Sequence, residues 1–305
     1  MKHLARVVLG GAALALAASL VGCSSGGGSE SQVIRLGVVP ADTADATLSN
    51  WSIFMELFEQ ETGLEIELFE ATNLAPVVEA AIAGDLDLMM LGPFAQVLAR
   101  DNGAAIDTVG AMIESPTNVE NASIGLSRPD SDISSIADLK GEDVCFIDPG
   151  SATGYLFPAA GFLEEDIDPE TDINALFVGD HVSAVETMLE GECSAVFTFG
   201  GHEAYVREPE NFTKFWEAEV PNPGFSISTA LDEDTRETIV NAVLTINGDV
   251  ADEHDLCTAE VTVPGDDGPV CRAVDVFWGV TEKDDSYWEP LREVCEVTQA
   301  PACTE

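Results

Sequence analysis

The 305-residue chain carries 56 acidic against 12 basic side chains, a formal net charge of -44 at pH 7. Such a balance excludes nucleic acid as a partner, because phosphate backbones are bound through clusters of Lys and Arg. The carboxylates are spread along the chain rather than gathered in a tail, which reads as a solvated surface suited to a salty habitat, and 46% hydrophobic residues suffice for a sizeable core divided between two lobes.

Lys2 and Arg6 open the chain, Val7 to Val21 form an apolar run that is short for a membrane span, and small residues precede Cys23. This predicts a secretory signal over residues 1–22. The ending Leu20-Val21-Gly22-Cys23 resembles the lipobox of bacterial lipoproteins, which implies acylation of Cys23 and a cell-membrane location, lipid-anchored on the extracytoplasmic face. Removing residues 1–22 takes away two basic residues and no acidic ones, so the charge moves from -44 to -46. Ser24 to Gln32 is rich in Ser and Gly, and residues 23–32 read as a flexible tether. No later stretch is long and apolar enough to cross a bilayer.

Seven cysteines less Cys23 leave Cys145, Cys193, Cys257, Cys271, Cys295 and Cys303. An even number in an oxidising compartment predicts three disulfides, with fifteen pairings formally open. Cys257 with Cys271 would close a Pro/Gly/Asp-rich loop and Cys295 with Cys303 would pin the tail, leaving Cys145 for Cys193. Metal binding is the rival reading, and no Cys-x-x-Cys or Cys-x-x-His spacing supports it. Neither metal nor cofactor is expected.

In chain order, a strand over Val33–Val39 leads to a loop at Pro40–Thr43 and a helix over Trp51–Glu61. A strand at Glu65–Phe69, a loop at Glu70–Leu74, a helix ending at Gly84 and a strand at Leu86–Met90 follow. Glu114–Ala122, with Pro116 and two Asn, reads as a linker. A strand at Val144–Ile147 runs into Asp148-Pro149-Gly150-Ser151-Ala152-Thr153-Gly154 and a helix from about Tyr155. Ala175–Val178 then leads through Gly179–Ser183 to a second helix with a glycine stop. Pro221-Asn222-Pro223 carries the chain back, and helices at Leu231–Ile246 and Ser286–Val294 are both expected to pack on the first lobe. Val78 to Met89 and Val185 to Val196, 107 positions apart, share the order helix, glycine, strand. The repeat predicts an α/β fold of two lobes, residues 33–117 with 225–305 and residues 118–224, each a parallel-type sheet flanked by helices. In such sheets ligands sit beyond the carboxyl ends of the strands, so the loops named above should face one another across a cleft.

Two hydroxyls and several main-chain N–H groups converge at Ser151–Gly154, at the start of a helix. That is a donor set for an oxyanion. Read alone, Ser151 serves equally as a helix cap and His181 as a solvated helix-start residue, while Trp51, Phe94 and Phe199 read as core or cleft wall. The stretch Asp148 to Pro158, the Gly179-Asp180-His181 sequence followed by Ala184-Val185, and Gly84-Asp85-Leu86-Asp87 before a strand together resemble the phosphate/phosphite/phosphonate-binding proteins of ABC importers over nearly all of the chain beyond the tether. The resemblance implies a two-lobed periplasmic-binding-protein-like fold of type II. It also implies a small phosphorus oxyanion held by Ser151, Thr153, the N–H groups of Ala152 to Gly154 and His181, with an ABC permease and ATPase as partners and a monomeric state.

The chain departs from the family in its first lobe. Leu74 and Leu91 stand where some members present tyrosines, leaving Thr43, Thr72, Asn73 and main-chain groups around Gly92 as the donors there. The hinge stretch Pro221-Asn222-Pro223-Gly224 offers no carboxylate for an ammonium group, which favours phosphite, phosphate or a short alkylphosphonate over an aminoalkylphosphonate. A binding protein for a sulfonate or nitrate is the main alternative, and a ligand sensor is another. Ser151 and His181 would be the nucleophile and base of an enzyme, but a Gly-x-Ser-x-Gly elbow is absent, and no enzymatic activity is expected. A purely structural lipoprotein would not need converging loops.

Overall fold

The computed structural model describes residues 33–38, 44–69, 71, 74–119, 121–202, 208–257, 260–262, 268–274 and 277–303. The chain begins with β1 (Val33–Val38), α1 (Ala44–Thr62), β2 (Glu65–Phe69), α2 (Leu74–Ala83), β3 (Leu88–Leu91), α3 (Pro93–Asp101) and β4 (Ile106–Ile113). It continues through β5 (Asn121–Ser127), β6 (Asp143–Phe146), α4 (Phe157–Glu164), β7 (Asn174–Phe177), α5 (His181–Glu190), β8 (Ala195–Phe199) and β9 (Thr213–Val220). The last part holds β10 (Gly224–Ser228), α6 (Glu233–Thr245), α7 (Gly248–Glu253), β11 (Glu260–Thr262), β12 (Pro269–Cys271), β13 (Gly279–Glu282) and α8 (Glu289–Thr298). Among the described residues no helix is long and apolar enough to cross a membrane.

Two main sheets organise these elements, in the orders β13-β4-β10-β3-β1-β2 and β7-β6-β8-β5-β9. The predicted parallel order holds for the strands joined through helices: β1 runs parallel to β2 and β3, and β6 to β7 and β8. The sheets as wholes are mixed. The chain leaves the first sheet after Ile113 and enters the second at Asn121, then leaves after Val220 and re-enters the first at Gly224. Each arriving strand, β5 in the second sheet and β10 in the first, lies antiparallel to both of its neighbours. Neither is reached through a crossover helix, the connection that parallel pairing requires.

The internal repeat is visible in three dimensions. α2 ends at Gly84 with φ +77° and feeds β3, and α5 ends at Gly191 with φ +88° and feeds β8. Only a residue free of a Cβ takes that left-handed conformation at little cost. α1 starts earlier than the sequence suggests and presents Trp51, Phe54 and Phe58, all fully buried, to Leu36, Val38, Phe225 and the inner face of α6. Phe54 stacks on Phe225 with ring centroids 5.4 Å apart. Each such side chain contributes on the order of 1.5–3 kcal/mol by leaving water. In the second sheet Phe146 stacks on Phe197 at 5.6 Å.

Helix α6 packs on the first sheet as expected, with Ile239 and Val243 in that core. The terminal helix does not follow the same expectation. A 3-10 turn (Asp285–Trp288) and α8 place Trp288 and Leu291 in a cluster that joins Phe94 and Val97 of α3 to Phe146, Leu156 and Phe162 beside the second sheet. The Trp288 indole donates to the Asn222 carbonyl at 2.9 Å, the Tyr287 hydroxyl accepts from the Asn222 N–H at 3.0 Å, and the Asn222 side chain donates to the Val119 carbonyl at 3.0 Å. The two passages between sheets are thereby tied to each other and to the tail. Disulfides join Cys145 to Cys193, Cys257 to Cys271 and Cys295 to Cys303, the pairing expected from the loop at Cys257, the tail at Cys295 and, by elimination, the remaining two cysteines.

Candidate functional site

Strands β6 and β7 end side by side, and the pairing continues past their last residues. Val178 N–H donates to Phe146 O at 3.0 Å and Gly179 N–H to Ile147 O at 2.9 Å. The Ser151 turn and His181 therefore leave the same edge of the second sheet, a few residues beyond adjacent strand ends.

The turn itself is wider than an α-helical start. Ala152–Leu156 forms a π-helical turn, in which Leu156 N–H reaches back to Ser151 O at 2.9 Å, before α4 begins at Phe157. π turns are rare and concentrate at functional sites. Ser151 is the N-cap, and its Oγ accepts from Gly154 N–H at 3.0 Å. Gly154 N–H, expected to face a ligand, is engaged inside the turn in this structure. Gly154 has a spatial role instead: a Cβ there would overlap Ile147, so only glycine lets the turn fold down onto the end of β6. Among the described residues nothing accepts from Ala152 N–H or Thr153 N–H, and the Thr153 hydroxyl has no partner. Since Ser151 Oγ accepts within the turn, its own proton is free as well. The turn is held from behind by Ser123 of β5, whose hydroxyl donates to Thr153 O at 2.6 Å.

His181 is the first residue of α5, whose N-cap Asp180 accepts from Ser183 N–H at 2.8 Å. It is not a freely solvated side chain. Its Nδ1 lies 2.7 Å from the Thr198 Oγ1 of β8, and its ring meets Phe199 edge-on at 4.9 Å. Because β8 flanks β6 on the side opposite β7, this bond carries the imidazole across the end of β6, toward the turn that β6 feeds. Burial pushes the His181 pKa down to about 3, helped by His202 and opposed by Asp180. The residue as a whole is half-buried, and the ring is neutral at pH 7. Thr198 and Ser123, both fully buried, escape sequence reading because in β8 and β5 they look like ordinary strand residues.

In the first sheet, Gly92 caps α3 through its carbonyl, which accepts from Gln96 N–H at 2.9 Å, and no side chain caps that helix. The main-chain N–H groups of its first turn are therefore available near Gly92. Thr43, Thr72, Asn73 and the lipidation candidate Cys23 lie outside the described residues, as do residues 1–32 altogether. Leu74 opens α2. The aromatic expectations hold: Trp51 and Phe94 are buried in the core, and Phe199 lines His181.

Sequence reading also passed over Glu114, which follows β4 at the first passage between sheets. Burial raises its pKa, against Arg272 and the Asn118 amide, which donates to its Oε2 at 2.9 Å. Its carboxylate occupies the place that a Cβ on Gly201 would need, next to the buried His202. Arg128 donates to the Met188 and Cys193 carbonyls at 2.5 and 3.0 Å. Among the described residues no group of three or more His, Cys, Asp or Glu side chains is placed to hold a metal ion.

The arrangement is a set of neutral donors, suited to an acceptor-rich anion. Residues 36–262 match the family described as "ABC transporter, phosphonate, periplasmic substrate-binding protein". The chain is 30% identical to the phosphate-import protein PhnD of Mycolicibacterium smegmatis over 290 residues, 89% of this chain and 88% of that protein. Its fold is similar to the binding-protein component of an ABC phosphonate transporter from Pseudomonas aeruginosa, with a TM-score of 0.72 and 18% identity over 88% of this chain and 87% of that one. It is likewise similar to PhnD1 of Prochlorococcus marinus in complex with methylphosphonate, with a TM-score of 0.71 and 15% identity over 88% and 99%. By the extent of the family match and of the curated relative, the chain belongs to the phosphonate-type periplasmic substrate-binding proteins of ABC transporters.

Proposed function

We propose that this protein captures a small phosphorus oxyanion, namely phosphite, phosphate or a short alkylphosphonate, and delivers it to the permease and ATPase of an ABC importer. The observation that carries the reading is the group of neutral donors at one sheet edge: the Ser151 and Thr153 hydroxyls and the Ala152 and Thr153 N–H groups, which donate to nothing among the described residues, and His181. A phosphonyl group presents three acceptor oxygens, and a helix start adds a partial positive charge worth about 0.3–1 kcal/mol. Charge-assisted hydrogen bonds contribute roughly 1.5–3 kcal/mol each. Neutral donors thus hold an anion without Lys or Arg. The first turn of α3 beside Gly92, with Thr43 and Asn73, completes the cage from the other side when residues 33–117 with 225–305 close on residues 118–224.

Cys23 tethers the protein to the extracytoplasmic face of the cell membrane; the support is the Leu20-Val21-Gly22-Cys23 ending. Cys23→Ser should release the protein to the soluble fraction.

The test is thermal unfolding in a non-phosphate buffer with phosphate, phosphite, methylphosphonate, aminoethylphosphonate, sulfate, nitrate and taurine added singly. A ligand at 100 times its Kd adds about 2.7 kcal/mol of stability. One phosphorus compound should stabilise, and Ser151→Ala with Thr153→Ala should abolish the effect. Stabilisation by sulfate, nitrate or taurine alone would overturn the assignment.

A further inference from the structure

We propose that Thr198 is a positioning residue that locks His181 in its Nε2–H tautomer, so that the imidazole meets the anion as a neutral hydrogen-bond donor. The inference rests on the oxyanion site proposed above and goes beyond it by naming what sets the donor character of that site.

The Thr198 side chain is fully buried in β8, and its Oγ1 lies 2.7 Å from His181 Nδ1. A hydroxyl has one proton to donate, and a neutral imidazole has one N–H. Among the described residues nothing else accepts from Thr198 Oγ1. If Nδ1 carried the proton, that N–H would donate to Oγ1 and the buried hydroxyl proton would have no acceptor, an arrangement native interiors avoid. With the hydroxyl donating to Nδ1, the buried hydroxyl is satisfied and the ring proton resides on Nε2. Nδ1 is held against β8, so Nε2 is the ring nitrogen left for a ligand.

The tautomer has a chemical consequence. An Nε2–H donor is complementary to a deprotonated oxygen, whereas a bare Nε2 would call for a P–OH. Together with the free Ser151 proton and the N–H groups of Ala152 and Thr153, it makes this half of the site a donor set throughout. That selects fully ionised oxygens without placing a cation in an acidic protein.

Two-bond ¹H–¹⁵N correlation spectra of the imidazoles report the tautomer directly, and the four histidines are assigned for this purpose by the signal lost in His181→Gln. The expected wild-type pattern is a single Nε2–H tautomer. Thr198→Val should lose that pattern and weaken methylphosphonate binding about tenfold, the equivalent of one hydrogen bond. Thr198→Ser should restore both. An Nδ1–H pattern in the wild type, or a Thr198→Val protein that keeps the Nε2–H pattern and its affinity, would overturn the inference. Failure of the site itself is distinguishable: methylphosphonate would then not bind, or would bind equally to His181→Gln and to Ser151→Ala with Thr153→Ala, while the spectrum still reports the tautomer.

Discussion

Replacing His181 with glutamine should flatten the fall in stability between pH 7 and pH 5. In the unfolded chain the imidazole titrates near its ordinary value of about 6.5, whereas in the folded protein burial lowers it to about 3. Between these values the unfolded state holds a proton that the native state does not. Full stability is therefore present above about pH 6.5 and is lost as the pH falls, until the folded group titrates as well. Each pH unit within that window is worth about 1.4 kcal/mol, so 1.5 units give about 2 kcal/mol at pH 5. His181 as a residue is half-buried, so water screens part of the penalty, and about 1–2 kcal/mol is the expected loss. Glutamine retains a polar contact for Thr198 and carries no titration. Urea unfolding of both proteins at pH 7, 6 and 5 measures the difference, and the other histidines cancel in the comparison. The window stays above the range where Asp138, Asp172, Asp232 and Asp284, all lowered by hydrogen bonds, lose their contributions. Equal losses in the two proteins between pH 7 and pH 5 would refute the reasoning.

Removing the Cys145–Cys193 disulfide, whose partners are 48 residues apart, should cost about 4 kcal/mol by loop-closure entropy, against about 2.5 kcal/mol for Cys295–Cys303 at a separation of 8. Denaturant unfolding of the Cys→Ala pairs under non-reducing conditions would show the order, and a reversed order would contradict the chain-entropy account. Gly110→Ala should destabilise by about 1–3 kcal/mol, because its methyl group would overlap the main-chain carbonyl of Thr281, which cannot turn aside as a side chain can. Gly200→Ala, whose Cβ would stand 3.4 Å from the Ala122 Cβ, should be milder in the same thermal-unfolding assay.

What could be read in advance was what local chemistry determines. Gly84 and Gly191 announce left-handed helix stops, the alternation around them announces strand and helix, and Ser151 announces a helix start whatever packs against it. The disulfide set follows from the loop at Cys257, the tail at Cys295 and elimination. Pairing between distant segments leaves no such trace. Nothing near Gly224 says that β10 will lie between β3 and β4, antiparallel to both. The hydrophobic face of α8 shows that it packs but not that it covers two neighbours. At the candidate site, Ser151 and His181 came forward through the family resemblance, since read alone each fits an ordinary helix start. Thr198, between Phe197 and Phe199, has no signature: its importance lies in a bond to a residue 17 positions away. Glu114 was hidden for a similar reason, since its neighbour Gly201 comes from a different sheet.

The interleaved sheet order also dictates when the molecule can become itself. β3 and β4 are complete by Ile113, yet the strand that fills the gap between them begins only at Gly224, and Trp288 reaches Asn222 later still. A chain emerging from its amino end therefore carries the facing edges of β3 and β4 unpaired for more than a third of its length. Such edges recruit other chains, and contacts of this sequence separation form slowly. The Trp288 segment is made after every strand of the two main sheets and ties their passages together, which leaves the growing polypeptide in need of protection until that segment has emerged.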